Sequence, residues 1–105
     1  MNIIFQIDGG LGKNIMATAM VKVIKRRYRN SKLIVVSGYP DVFLNNPHVD
    51  EICRLDQMQG AYLKYIKDQK VKIFIEDPYR NTAFLTDQEH LLRTWCRMFG
   101  LNYNY

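Results

Sequence analysis

The chain opens on an almost unbroken apolar run, Asn2 to Ile7, that ends abruptly at Asp8-Gly9-Gly10. A run without alternation suits a strand buried on both faces of a parallel sheet. From Asn14 the spacing lengthens, and Ile15, Met16, Ala19, Met20, Val23 and Ile24 predict one face of an amphipathic helix reaching about Tyr28. Leu33 to Ser37 is a second apolar strand after the turn-forming Asn30 and Ser31. Gly38-Tyr39-Pro40-Asp41 then opens a short helical piece with Val42, Phe43 and Leu44, stopped by Asn45-Asn46-Pro47. Glu51 to Leu55 reads as a third strand. A helix follows from about Gln57 to Gln69, burying Met58, Ala61, Tyr62, Tyr65 and Ile66, and Val71 to Ile75 makes a fourth strand. Thr86-Asp87-Gln88-Glu89 has capping-box spacing, so a last helix starts there, with Leu91, Leu92, Trp95, Cys96 and Phe99 on one face and Gly100 as its left-handed stop.

Strands that alternate with helices cannot be joined by tight turns, so they imply crossovers and a parallel sheet. The expected fold is α/β: a Rossmann-like open parallel sheet of about four strands, order 3-2-1-4, with helices on both faces. In that order the loop Asp8 to Asn14 and the segment Glu76-Asp77-Pro78-Tyr79-Arg80 both project beyond the carboxyl ends of neighbouring strands, where such sheets bind ligands.

At 105 residues the chain fits one domain but is near the low end for a complete open sheet. Hydrophobic residues at 48% and charged residues at 24% argue against disorder. No apolar run approaches the roughly 20 residues of a membrane span, and Met1 to Asp8 lacks the features of a signal peptide, so no transmembrane segment and a cytoplasmic location are expected. Cys53 and Cys96 are expected as two buried thiols. The net charge of +5 is local: Lys22, Lys25, Arg26, Arg27, Arg29 and Lys32 cluster at the end of the first helix. Cations there offset the negative dipole end while facing water, and no interleaved aromatics offer a base-stacking platform, so no nucleic-acid partner is expected.

The glycine loop is the strongest candidate site. Gly9, Gly10 and Gly12 lie just before a helix start, where amides without intrahelical partners can receive a phosphate or another anion, and glycine permits close backbone approach. Lys13 can pair with an anionic ligand, and its bland role is a solvated first-turn lysine. Asp8 is a base or hydroxyl acceptor, or else a turn residue. Asp77 offers a second carboxylate, Asn14 is expected to bind substrate with the three glycines and Lys13, and Arg80 can hold a phosphate bidentately. His48 and His90 have no ligand spacing around them, which leaves no metal site. Met16, Met20 and Met58 read as core filling, and Trp95 as a core anchor.

Asp8-Gly9-Gly10-Leu11-Gly12-Lys13-Asn14 resembles the deviant phosphate loop of the partitioning ATPases, but Asp8 stands where the signature lysine belongs and Asn14 replaces the magnesium-holding hydroxyl. A broader resemblance covers almost the whole chain. The first strand and its glycine turn, Ala17-Thr18-Ala19, Lys25-Arg26-Arg27-Tyr28, Asn46-Pro47-His48-Val49-Asp50-Glu51-Ile52, and the helix from Glu89-His90-Leu91-Leu92 to Phe99-Gly100-Leu101 are similar to the start of the heptosyltransferase family, glycosyltransferase family nine. The opening loop also resembles that of bacterial fucosyltransferases. The resemblance implies the N-terminal domain of a GT-B glycosyltransferase, spanning residues 1 to 105, with a nucleotide-sugar donor, a carbohydrate acceptor, no cofactor or metal, and a C-terminal domain or partner chain completing the cleft. It departs at one place. The family carries its expected base directly after the glycine matched by Gly12, whereas this chain has Lys13, a poor proton acceptor unless strongly desolvated. Asp8 or Asp77 would then take that role, or the chain is a non-catalytic module for a nucleotide or phosphosugar.

Overall fold

A computed structural model describes residues 1–65, 71–75 and 91–101. Four strands, β1 (Asn2–Ile7), β2 (Lys32–Ser37), β3 (Glu51–Arg54) and β4 (Val71–Phe74), form one sheet in the order β3-β2-β1-β4. Every pairing is parallel, with Ile7 opposite Ser37, Ser37 opposite Arg54, and Phe5 opposite Phe74. The α/β class, strand order and open parallel sheet therefore stand as the sequence predicts.

The helices α1 (Leu11–Arg27), α2 (Met58–Tyr65) and α3 (Leu91–Met98) divide between the faces. Ile3, Phe5, Ile7, Leu33, Val35 and Phe74 point to one face and pack with Ala17, Met20, Val21 and Ile24 of α1 and Trp95 and Cys96 of α3. Ile4, Ile34 and Val36 point to the other and meet Ala61 and Tyr65 of α2. Period-two alternation in β1 and β2 thus serves two cores, which is why these strands look uniformly apolar. The α1/α3 face is the heavier one. Phe5 lies edge-on to Trp95 at 5.6 Å and to Phe99 at 5.7 Å, while Phe99 stacks on Phe74 at 4.4 Å. Each such fully buried side chain contributes about 1.5–3 kcal/mol.

Between β2 and β3 a 3-10 turn, Pro40–Phe43, drops Phe43 into the α1 side of the core. Asn45 then takes a left-handed conformation, φ 63°, which asparagine tolerates. Gly100, φ 68°, stops α3 in the manner expected. The capping box at Thr86 to Glu89 lies outside the described residues.

Several packing expectations need correction. In α1 the buried face is Lys13, Asn14, Ala17, Met20, Val21, Val23 and Ile24, while Ile15 is 53% exposed. The helix is turned from its most apolar stripe because Asn14 makes its own buried hydrogen bonds, a polar anchor that hydropathy does not register. Met58 is 41% exposed, because α2 begins there rather than at Gln57 and the side chain precedes the buried turn. Cys53 is half-buried, Cys96 is buried, and both are free thiols.

The basic end of α1 also does more than face water. Lys25 Nζ lies 2.6 Å from the Asp50 carboxylate, which in turn accepts from the Leu33 amide at 2.7 Å. Lys32 pairs with Glu51 at 3.4 Å. Asp50 thereby ties the end of α1 to the starts of β2 and β3. Burial works to raise its pKa, but the Leu33 amide, Lys25 and Lys32 outweigh it and hold the carboxyl below its ordinary 3.8. No described helix is long and apolar enough to cross a membrane.

Candidate functional site

The last hydrogen-bonded rung of the sheet, Ile7–Ser37–Arg54, sets the floor of its carboxyl edge. Asp8, Gly38 and Leu55 are the first residues beyond it, and only Asp8-Gly9-Gly10 separates β1 from α1. So short a connection forces a sharp reversal. Gly9 makes it at φ +119°, a conformation that residues with a side chain rarely adopt.

The first helical bond of α1 runs from the Asn14 amide to the Gly10 carbonyl at 3.2 Å. The amides of Leu11 and Gly12 precede it, Gly10 at the N-cap has no side chain to cap them, and the first turn of the helix carries no acid. Gly10 and Gly12 differ from Gly9. Their φ values are not in the left-handed region, and a Cβ on either would meet nothing within 4 Å. Neither packing nor backbone conformation requires glycine there, and Gly12 weakens its helix relative to alanine. Among the described residues the loop therefore keeps an open backbone surface at Gly10 and Gly12.

Asn14 and Lys13 sit beneath that surface rather than on it. Asn14 is fully buried; its Nδ2 donates to the Gly10 carbonyl at 2.8 Å, and its Oδ1 accepts from the Ser37 hydroxyl at 2.5 Å. Ser37 accepts in turn from the Tyr39 amide at 2.9 Å. This network locks the loop after β1 to the loop after β2. Lys13 is 6% exposed, so it is not the solvated lysine of the bland expectation. Its stem runs under Gly9, where a Cβ would lie 3.0 Å from the Lys13 Cδ, and its ammonium lies 5.7 Å from the Trp95 ring centroid. Positive charge is thus supplied from below the loop.

Asp8 is exposed and held from behind. The Tyr62 hydroxyl of α2 donates to Gln6 Oε1 at 2.7 Å, and Gln6 Nε2 donates to Asp8 Oδ1 at 3.0 Å. Gln6 is 7% exposed and interrupts an otherwise apolar strand. Burial first, and then the negative charge of Asp8, push the Tyr62 phenol above its ordinary pKa of 10.0, so it remains a donor at neutral pH.

A cavity of about 360 Å³ adjoins this arrangement at the ends of β2 and β3, lined by Ser37, Gly38, Arg54, Leu55 and Asp56. The end of β2 carries Ser37 rather than the carboxylate that would hold a dinucleotide's ribose. Among the described residues no three His, Cys, Asp or Glu side chains come together as metal ligands.

The sequence-predicted site residues thus fall into three groups. Asp8, Gly9, Gly10 and Gly12 form one loop surface, Lys13 and Asn14 support it from within, and Asp77 and Arg80 lie outside the described residues. Gln6, Tyr62 and the cavity residues were not anticipated. A lone glutamine in an apolar strand signals the first, and the rule that parallel sheets bind at their carboxyl ends could have flagged Ser37-Gly38 and Arg54-Leu55-Asp56. Comparison with protein-family models, curated proteins and solved structures finds no match.

Proposed function

We propose that this chain is the acceptor-side domain of a GT-B-type glycosyltransferase, with the loop Asp8 to Asn14 as its working surface and Asp8 as its base. The carrying observation is the placement of Asp8: an exposed carboxylate, steadied through Gln6 by Tyr62, next to open glycine backbone at the carboxyl edge of a parallel sheet. The reaction is a direct inverting displacement. Asp8 takes the proton of an acceptor hydroxyl, the oxygen attacks the anomeric carbon of a nucleotide-activated sugar, and the bond to the phosphate breaks as the nucleoside diphosphate leaves with the electron pair. The amides of Leu11 and Gly12 and the charge of Lys13 offset negative charge nearby. The nucleotide sugar would be held by a C-terminal domain or partner chain across the cleft.

The arrangement speaks less for a nucleotide wrapped by the loop. The helix has already begun at Leu11, and the Asn14 side chain, at the position that would serve magnesium, is enclosed and occupied by Gly10 and Ser37. In the full-length protein, Asp8→Asn is expected to lower transfer from a nucleotide sugar to an acceptor about a hundredfold or more, the scale of lost general-base assistance, with folding little changed. Calorimetry with ATP and magnesium provides the opposing arm. Tighter ATP binding by Asp8→Asn with unchanged transfer would overturn the reading.

A further inference from the structure

We propose that the cavity at the ends of β2 and β3 is a subsite for an uncharged, hydroxyl-rich ring, a second saccharide unit of the ligand whose reacting end lies at Asp8. The choice of a saccharide rests on the sugar-transfer reading; the choice of an uncharged ligand does not. The cavity's volume, about 360 Å³, falls within the range of small-molecule sites. Its charged groups are Arg54 and Asp56, with guanidinium and carboxylate 3.0 Å apart and both side chains more than three-fifths exposed. A phosphate at Arg54 would meet the Asp56 carboxylate beside it, and a cation at Asp56 would meet the Arg54 guanidinium, so each is opposed by one partner of the pair. A neutral ligand meets no such opposition. The carboxylate keeps lone pairs for hydroxyl donors, the guanidinium keeps N–H groups for hydroxyl or ring oxygens, and Leu55 and the backbone of Gly38 offer an apolar surface.

The register places this cavity in line with the glycine loop. Asp8, Gly38 and Leu55 each follow the rung Ile7–Ser37–Arg54, so β1 and β3 are separated by two strand spacings, about 10 Å, enough for a ligand of more than one ring. The two places are also mechanically joined. Ser37, in the cavity lining, donates to Asn14, which holds the Gly10 carbonyl.

The test is an amide-resolved NMR titration of the full chain with maltose, lactose and cellobiose, and separately with inorganic phosphate and glucose 1-phosphate. The saccharides are expected to shift Gly38, Leu55 and Asp56, and phosphate is expected to leave them still. Asp56→Ala should weaken saccharide binding about tenfold or more, the scale of a lost hydrogen bond to a charged group, and should let phosphate shift the same amides by freeing Arg54. Because both side chains are exposed, the variant is expected to keep its spectrum elsewhere. Silence of Gly38 and Leu55 toward all three disaccharides, or a response to phosphate in the unaltered chain, would overturn the subsite. Glucose 1-phosphate reports on the loop amides of Gly9 to Lys13 independently. A responsive cavity beside a silent loop would count against the sugar-transfer reading alone.

Discussion

Gly9 and Gly12 flank the same helix start, yet one is needed by the fold and the other is not. Gly9 sits at φ +119° over the buried stem of Lys13, whereas Gly12 has an ordinary conformation and open space where a side chain would be. The same division runs through the whole loop. Lys13 and Asn14 are buried beneath it, and Gly9, though on the surface, is held to its conformation by the sharp exit from β1 and the Lys13 stem below. The outer part, Asp8, Gly10 and Gly12, is exposed, and among the described residues its internal ties are the support Gln6 gives Asp8 and the Asn14 bonds to the Gly10 carbonyl. Exposed residues that the described fold does not itself require are the ones to test for a ligand.

The hardest test of the inner half is Asn14→Leu. It leaves the buried Ser37 hydroxyl without its acceptor and uncouples the two loops, so a loss of about 3 kcal/mol is expected by urea denaturation, the upper range for stranding a buried polar group. Adding Ser37→Ala should recover part of that loss. Full additivity of the two changes would mean the network does not join the loops.

A paired comparison comes next in size. Gly9→Ala is expected to destabilise by about 2 kcal/mol, because alanine is strained at that φ, while Gly12→Ala is expected to stabilise by about 0.5–1 kcal/mol as a better helix former. Equal effects of one sign would break the division. If the outer surface binds a ligand, Gly12→Ala should nevertheless weaken glucose 1-phosphate binding, since its methyl group enters the approach path.

The smallest effect serves as a control away from the loop. Asp50 has a folded-state pKa below its unfolded value, so its contribution to stability is fully present above pH about 3.8 and is lost as pH falls through the lower folded value. The stability difference between the native chain and Asp50→Asn should shrink along that acid limb. It should be modest, because the Asp50 side chain is 40% exposed and its pair with Lys25 is screened by solvent. A difference that stays unchanged along the whole of that limb would assign Asp50 an uncharged role.

Much of this was determined by the sequence alone. Short apolar runs such as Ile3 to Ile7 and Leu33 to Val36 read as strands buried on both sides, and Asp8-Gly9-Gly10 reads as a tight exit from one of them, so fold class and loop position follow from local pattern, and the expected strand order agrees with the observed one. Tertiary structure decided which side of each residue faces in. Hydropathy puts Ile15 in the core and Lys13 in water, and the opposite holds because Asn14 finds Ser37, 23 positions away, and turns α1 to meet it. The partnership of Tyr62 with Gln6, and the meeting of Ser37 with Arg54 and Asp56 at one cavity, are likewise contacts between distant segments. A sequence lists donors and acceptors, but the pairing of buried ones is selected only when packing removes water as the alternative partner.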